Sequence, residues 1–131
     1  MTKKQPYFPE NAFVGGPYSP AIAVGDQVFI AGQGPISAST KQIAGDTFEE
    51  QVEITFSNLE AVLTSAGCTL DDCVKVNVYL SNLVNFDALN RIYKQKFAAP
   101  FPVRTTVQAE LWGQIQVEID AIAIRGCGAG K

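Results

Sequence analysis

The stretch FPVRTTVQAELWGQIQVEIDA, residues 101–121, is the part of the sequence that decides the fold. Residues 101–107 are rich in β-branched side chains and predict a strand that carries Arg104 on the face opposite to its large apolar residues. Residues 114–121 alternate apolar and polar side chains, which is typical of a half-buried strand, with Glu118 on the polar face. If the two strands form an antiparallel hairpin around the Leu-Trp-Gly between them, Arg104 lies opposite Glu118.

A guanidinium that faces a carboxylate across two strands has two interpretations. The first is a structural ion pair between neighbouring strands. The second is a site where a small anion binds the guanidinium and meets a proton acceptor. The two strands by themselves leave both interpretations open.

The composition is that of an ordinary folded protein. The chain has 131 residues, enough for one domain with one core, and we expect a single domain over residues 1–131. Apolar residues make up 47% of it and charged residues 18%, and the formal net charge is −3. No basic cluster extends beyond Lys3 and Lys4, which disfavours nucleic acid as a partner. No apolar stretch approaches the roughly 20 residues of a membrane span, and the N-terminal residues do not form a signal peptide, so we expect no membrane partner and a cytoplasmic location.

The cysteine and histidine content limits the chemistry. Cys68, Cys73 and Cys127 are an odd number of cysteines, which argues against a disulfide framework, and we expect free, partly buried thiols. The sequence contains no histidine. Its absence removes the commonest general base and metal ligand, so histidine-based triads and zinc sites are excluded and no metal site is predicted.

Turn and cap signals divide the chain into strands and helices. Gly25-Asp26 is a two-residue hairpin signal, and a short edge strand precedes that hairpin. Asp46 and Glu49 form a capping pair ahead of an apolar stripe with helical spacing, and Gly67 suits the end of that helix. The predicted elements are strands at residues 21–24, 27–31, 74–80, 101–107 and 114–121 and helices at residues 46–67 and 85–97.

This order, strand-strand-helix-strand-helix-strand-strand, predicts an α+β single domain. Each helix connects two parallel strands, hairpins lie at both ends, and both helices pack on one face of a mixed sheet. A flexible tail is expected at residues 126–131. We expect the other face of the sheet to be polar and to meet water or a second subunit. The residues predicted on that polar face are Lys75, Asn77, Tyr79, Arg104, Thr106, Gln116, Glu118 and Asp120.

Five short motifs in series resemble those of one protein family. They are GPYS at 16–19, GQ at 32–33, AGC at 66–68, FPVRT at 101–105 and VEIDAIA at 117–123. In this order and at these intervals the chain resembles the RidA/YjgF/UK114 family, the reactive-intermediate deaminases. The resemblance extends over nearly the whole chain.

The resemblance implies a chorismate-mutase-like fold that assembles as a homotrimer with its sites at the subunit interfaces. It implies hydrolysis of short 2-imino or enamine acids, such as 2-iminobutanoate and 2-iminopropanoate or 2-aminoacrylate, to 2-keto acids and ammonia, with no cofactor. The substrate is a small carboxylate, which Arg104 would hold while Glu118 activates water and Tyr18 completes the catalytic set. The further substrate-binding residues that the resemblance implies are Gly32, Asn90 and Thr106.

Three positions depart from the family pattern. Ala31 stands where many members have serine, Thr106 where cysteine is frequent, and Leu-Trp-Gly at 111–113 where Leu-Pro is usual. These departures concern the range of substrates more than the chemistry. Two alternatives to the short-chain deaminase stay open: a deaminase for a bulkier imino acid, which Ala31 and Trp112 would admit, and a non-catalytic trimer that binds or senses a 2-keto acid in the same cleft.

Overall fold

The computed structural model describes residues 3–128 of the chain. Within them, two α-helices cover one face of a six-stranded sheet, in the order of elements that the sequence predicts. The elements are β1 (Gln5–Tyr7), β2 (Ala21–Val24), β3 (Gln27–Gln33), α1 (Phe48–Ser65), β4 (Cys73–Leu80), α2 (Phe86–Lys96), β5 (Val103–Gln108) and β6 (Val117–Ile124).

The last strand in the sequence occupies the middle of the sheet. The strands lie in the order β1-β2-β3-β6-β4-β5, and β6 is antiparallel to both of its neighbours. Strands β4 and β5 are parallel, and β3 and β4 run in the same direction because both are antiparallel to β6. Each helix therefore connects two parallel strands, as predicted. The predicted C-terminal hairpin is wrong, because β4 separates β5 from β6. As a central strand, β6 forms backbone hydrogen bonds with β3 on one side and with β4 on the other. At the edge of the sheet it would pair on one side only.

Specific residues begin and end helix α1. Thr47 is its N-cap: the Glu50 amide donates to Thr47 Oγ1 at 3.1 Å, and the Thr47 amide donates to Glu50 Oε1 at 2.9 Å. This capping box lies one residue beyond the predicted pair of Asp46 and Glu49. The helix ends where predicted, since Gly67 follows it with φ +80°, a conformation that favours glycine.

The hydrophobic core lies between the helices and one face of the sheet. Val76, Val78 and Leu80 of β4 point into it and are fully buried, and residues of β6 alternate in the same way. The opposite face, which we call the open face, has no helix over it. It exposes Phe29, Val103 and other apolar side chains beside its polar ones. Part of this face is therefore more apolar than predicted.

The register of β5 corrects one prediction about the open face. Arg104 pairs with Val76 and Thr106 pairs with Val78, so both side chains project on the helix side of the sheet. Val103 and Val107 of the same strand project on the open face, where they are 65% and 41% exposed. The alternation of apolar and polar side chains along β5 was predicted correctly. The prediction of which side the helices cover was wrong, because the apolar side of β5 lies on the open face and the polar side faces the helices.

Arg125 links three separate segments of the chain by hydrogen bonds. Its guanidinium donates to the carbonyl of Ala66 at the end of α1 (2.7 Å), to the carbonyl of Gly25 in the β2–β3 turn (2.8 Å) and to the hydroxyl of Tyr7 in β1 (3.0 Å). Charged hydrogen bonds of this kind are stronger than neutral ones. They fix β1, and with it the start of the segment at residues 9–18 that reaches the site described below.

Three further expectations concern the thiols, the tail and the membrane. All three cysteines are free, with Cys68 and Cys73 buried, as predicted. Of the predicted tail at 126–131, residues 129–131 lie outside the described residues, while the Gly128 amide donates to Asp72 Oδ1 at 2.9 Å. No helix within residues 3–128 has the length and apolar composition needed to cross a bilayer.

Candidate active site

Arg104 is held by side chains of α2. Its Nη2 donates to Asn90 Oδ1 at 2.8 Å, and its guanidinium carbon lies 4.6 Å from the ring centroid of Tyr93 and 5.6 Å from that of Phe86. Aromatic faces attract a guanidinium and fix its plane. Among residues 3–128, no carboxylate oxygen lies within 4.0 Å of Arg104. The guanidinium is therefore positioned but not neutralised. We call Phe86, Asn90, Tyr93, Arg104 and Thr106 the arginine cluster.

The helix spacing explains why these residues meet. Phe86, Asn90 and Tyr93 lie at positions i, i+4 and i+7, so α2 presents them on one face beside the edge strand β5. Of these three residues only Asn90 was predicted to belong to the site, and the support that Phe86 and Tyr93 give to Arg104 was missed. The i, i+4, i+7 spacing around Asn90 was the signal for it.

Two hydroxyl groups in the arginine cluster have unused hydrogen-bonding capacity. Tyr93 Oη and Thr106 Oγ1 are both buried, and neither has a hydrogen-bond partner among residues 3–128. Burial raises the pKa of Tyr93 to about 12, with the charge of Arg104 acting in the opposite direction, so the phenol is neutral at physiological pH. Buried, unpaired hydroxyls are costly, and a polar ligand bound beside a guanidinium that has no carboxylate partner would satisfy them.

Glu118 lies elsewhere, at the edge of a cavity of about 400 Å³. We call this the glutamate cavity; Tyr18, Gly32 and Trp112 also line it. The Glu118 carboxylate lies directly over Gly32, where a Cβ atom would come within 2.2 Å of Glu118 Oε2. Gly32 is thus required for the position of the carboxylate. Tyr18 is 48% exposed, and its hydroxyl accepts a hydrogen bond from the Gly15 amide at 3.1 Å.

The surroundings of Glu118 make it a stronger base than an ordinary glutamate. Burial raises the pKa of its carboxyl, and the negative charge of Asp120 raises it further. Asp120 itself is held in place by Tyr79, whose hydroxyl donates to it at 2.9 Å, and by Asn77, whose amide also donates at 2.9 Å. Asp120 was predicted only as part of a polar face, and its effect on Glu118 was not foreseen.

Arg104 and Glu118 do not meet within one chain. Arg104 is in register with Val76 on the helix side of β4, whereas Glu118 is in register with Tyr79 on the open face. Their strands are also separated by β4, a lateral distance of about 10 Å. The predicted cross-strand pairing of Arg104 with Glu118 is therefore wrong. The structure brings Arg104 together with Asn90 and Thr106, and Glu118 together with Gly32 and Tyr18.

Comparison with known proteins identifies the relatives of this chain. The model of the family described as Endoribonuclease L-PSP matches residues 9–125. A RutC family protein of Pyrococcus abyssi is 40% identical over 111 residues, which cover 84% of this chain and 87% of that protein. A protein of Dermatophagoides farinae named 2-iminobutanoate/2-iminopropanoate deaminase is 36% identical over 110 residues, covering 83% and 86% of the two chains.

The chain belongs to the RidA/YjgF/UK114 family. The crystal structure of RidA from an Antarctic Psychrobacter is similar to this RidA-family chain with a TM-score of 0.86 and 34% identity, covering 92% of this chain and 98% of that one. The predicted family and the predicted RidA-like fold are both confirmed. Relatives in this family are named as deaminases, which associates the family with imine deamination.

Proposed function

We propose that this protein hydrolyses 2-imino acids, including 2-iminobutanoate and 2-iminopropanoate, to 2-keto acids and ammonia at sites formed between two chains. The observation that carries the proposal is the division of the site. A positioned guanidinium without a carboxylate partner lies on one side of the sheet, and a carboxylate with a raised pKa lies on the other. Arg104 can bind the carboxylate of an imino acid but has no base beside it among residues 3–128. Within the same residues, Glu118 can act as the base but has no cation beside it to hold the substrate.

The arginine cluster suits the carboxylate of the substrate. A guanidinium presents two parallel N–H donors to a carboxylate, which the single ammonium of a lysine cannot do. One donor of Arg104 is engaged with Asn90, and the ring of Tyr93 fixes the plane, so the remaining donors point in a defined direction. Thr106, with its unpaired hydroxyl, lies two residues further along the same edge strand.

Glu118 suits the hydrolytic step. The 2-imino acid reacts in its protonated form. Water adds through its oxygen to the imine carbon, one water proton passes to Glu118, and the π electrons of the C=N bond move to nitrogen to give a neutral carbinolamine. Glu118 then returns that proton to the nitrogen, the C–N bond breaks with its electron pair on nitrogen, and the hydroxyl of the carbinolamine loses its proton to Glu118 as the C=O bond forms. Ammonia takes up this proton and leaves as ammonium, which gives a 2-keto acid and an ionised Glu118. A protonated imine is already electrophilic, so no cofactor is required. General-base catalysis of this kind contributes typically ~10²–10⁴-fold.

A second copy of the chain supplies the missing half of each site in this proposal. No element among residues 3–128 covers the open face, although Phe29, Val103 and Val107 on it are between 41% and 65% exposed. Apolar side chains on an unpartnered sheet face favour association. In a homotrimer, each arginine cluster would face the glutamate cavity of its neighbour, with Tyr18 beside the substrate.

Cleavage of RNA, which the description of the family model names, is not the function that this site supports. The chain carries a formal charge of −3 and no histidine. The open face places Glu118 and Asp120 two residues apart on one strand, and neither has a cation within 4.0 Å among residues 3–128. Such a surface repels phosphates, whereas a single guanidinium suits one small carboxylate.

Complementation between two inactive variants tests the proposal. Arg104→Ala and Glu118→Gln are each expected to be inactive, because each removes one half of every site. When the two chains are unfolded together, mixed and refolded, a site that takes its glutamate from one variant and its arginine from the other is intact. Random assembly into a closed ring gives about one quarter of such sites. We therefore expect turnover to recover to about one quarter of the wild-type value.

The readout is the rate at which a 2-keto acid forms from an imine that a dehydratase or oxidase generates in situ. Each variant refolded alone is the control and should remain inactive. Native mass spectrometry shows whether the chains have mixed. Mixed assemblies without recovered turnover would contradict the inter-chain site.

Gly32→Ala is expected to lower turnover by about 10–100-fold while the protein remains folded. The new Cβ would lie 2.2 Å from Glu118 Oε2, so the carboxylate must move, and the end of a glutamate side chain can do so without disturbing the core. Gly34→Ala is the matched control, because a Cβ there meets Ile115 Cδ1 at an ordinary 3.6 Å. Equal activity of the two variants would show that the position of Glu118 does not matter.

A further inference from the structure

The glutamate cavity is larger than a short imino acid needs. Its volume is about 400 Å³. For comparison, an apolar cavity of about 150 Å³ holds a benzene molecule, and pockets for larger ligands begin at about 300 Å³. The methyl or ethyl group of 2-iminopropanoate or 2-iminobutanoate would leave most of this volume empty.

The walls of the cavity are mainly apolar. Phe13, Ile36 and Ile115 line it together with Val62 of α1, and the exposed ring of Trp112 stands at its rim. Asn58 also lines it, but the Asn58 side-chain amide is engaged, since it donates to the carbonyls of Gly34 at 2.9 Å and Ile36 at 2.8 Å. An apolar group is therefore the occupant that these walls favour.

The charges around the cavity define the orientation of a ligand. Within the described part of the chain, Glu10 and Glu118 line the cavity, and neither a lysine nor an arginine does. The ammonium of Lys41 is engaged with the carbonyls of Asn11 and Ala38 in the cavity wall. A substrate carboxylate is repelled by the two glutamates and must point outward, toward the Arg104 that a neighbouring chain supplies. With the imine carbon beside Glu118, the side chain of the substrate is the part that enters the cavity.

We infer that the glutamate cavity is the side-chain subsite of the enzyme and that it selects 2-imino acids with large apolar side chains, such as benzyl or isobutyl. This inference rests on the proposed function and names the class of substrate within it. Each buried methylene group favours binding by about fourfold. A benzyl side chain in place of a methyl group should therefore raise kcat/KM by at least about tenfold.

The experiment compares two imines in one assay. A D-amino acid oxidase generates 2-imino-3-phenylpropanoate from D-phenylalanine and 2-iminopropanoate from D-alanine, and the imine carbon of either product has no handedness. Formation of the keto acid is timed with and without the protein. We expect kcat/KM to be at least about tenfold higher for the phenyl compound.

Ala61→Phe is the variant that fills the cavity. Ala61 lies on an exposed part of α1 and lines the cavity, so the larger side chain occupies the space without disturbing the core. We expect kcat/KM to fall at least about tenfold for the phenyl compound and by less than about threefold for 2-iminopropanoate. Ser57→Phe, one helical turn earlier and also exposed, is the control and should change neither value.

The outcomes separate the two levels of the proposal. A preference for the phenyl compound that Ala61→Phe abolishes supports the side-chain subsite. Turnover of both imines with a preference for 2-iminopropanoate, unaffected by Ala61→Phe, overturns the subsite but leaves the deaminase standing. No acceleration of either imine overturns both.

Discussion

Arg104→Ala is expected to lower kcat/KM for 2-imino acids by roughly 10²–10⁴-fold, while the chain folds normally and keeps its assembly state. Arg104 is the only cation in the arginine cluster as the structure describes it, and its guanidinium is held in position. Without it, the substrate carboxylate has no bidentate hydrogen-bond donor. The residue is half-buried at the sheet edge and bonds only to Asn90 among the side chains there, so its removal leaves the core intact.

Two further variants distinguish charge from geometry at this position. Arg104→Lys keeps the positive charge but not the planar fork, and it should recover only a small part of the lost activity. Arg91→Ala removes an exposed arginine of α2, next to Asn90 in the sequence, and should behave like the wild type. Coupled kinetics with a dehydratase-generated imine provide the measurement. If Arg104→Ala retained wild-type turnover, the carboxylate would have to bind elsewhere.

Glu118→Gln is expected to lower turnover by roughly 10²–10⁴-fold and at the same time to stabilise the fold at neutral pH. The pKa of Glu118 is raised by burial and by Asp120, so the folded protein binds this proton more tightly than the unfolded chain does. The stability that Glu118 contributes is therefore present below its ordinary pKa of 4.5 and is lost as the pH rises through the higher folded-state value. Glutamine, which is never ionised, avoids this loss.

Thermal unfolding measures the second effect. In the Arg104→Ala background, where no guanidinium of a neighbouring chain can compensate for the charge, Glu118→Gln should raise Tm at pH 7 by about 1–3 °C. The difference should vanish below about pH 4, where Glu118 is protonated. Glu110→Gln, at an exposed position, is the control. A lower Tm for Glu118→Gln at pH 7 would mean that the carboxylate is stabilising where it lies.

Local signals in the sequence predicted most of the fold. The apolar stripe of α1, the glycine that ends it and the Gly25-Asp26 turn each depend on residues close together in the chain, and each prediction is confirmed within two residues. The pairing of β5 with β6 is a long-range property. Two strands that are neighbours in sequence were assumed to pair, and the alternating apolar face of β6 fits an edge strand as well as the central strand that it is.

The site was predicted in its residue types but not in its arrangement. Alternation shows which residues of β5 share a face, and it does not show which face is covered. Because α2 packs beside the edge of the sheet, Arg104 rather than Val103 lies against Tyr93. Arg104 and Glu118 are separated because β4 lies between β5 and β6. The pattern of residues within β5 or β6 does not predict this order of strands.

The central position of β6 also has a consequence during translation. Until residue 124 has been synthesised, β3 and β4 each lack the partner that lies between them, and a nascent chain exposes two unpaired strand edges. The two parts of the sheet are therefore joined late, when β6 pairs with β3 and β4. Folding is comparatively slow because these pairings connect residues far apart in the sequence. A premature stop codon anywhere before residue 117 would leave a split sheet prone to aggregation, and not a smaller version of the same fold.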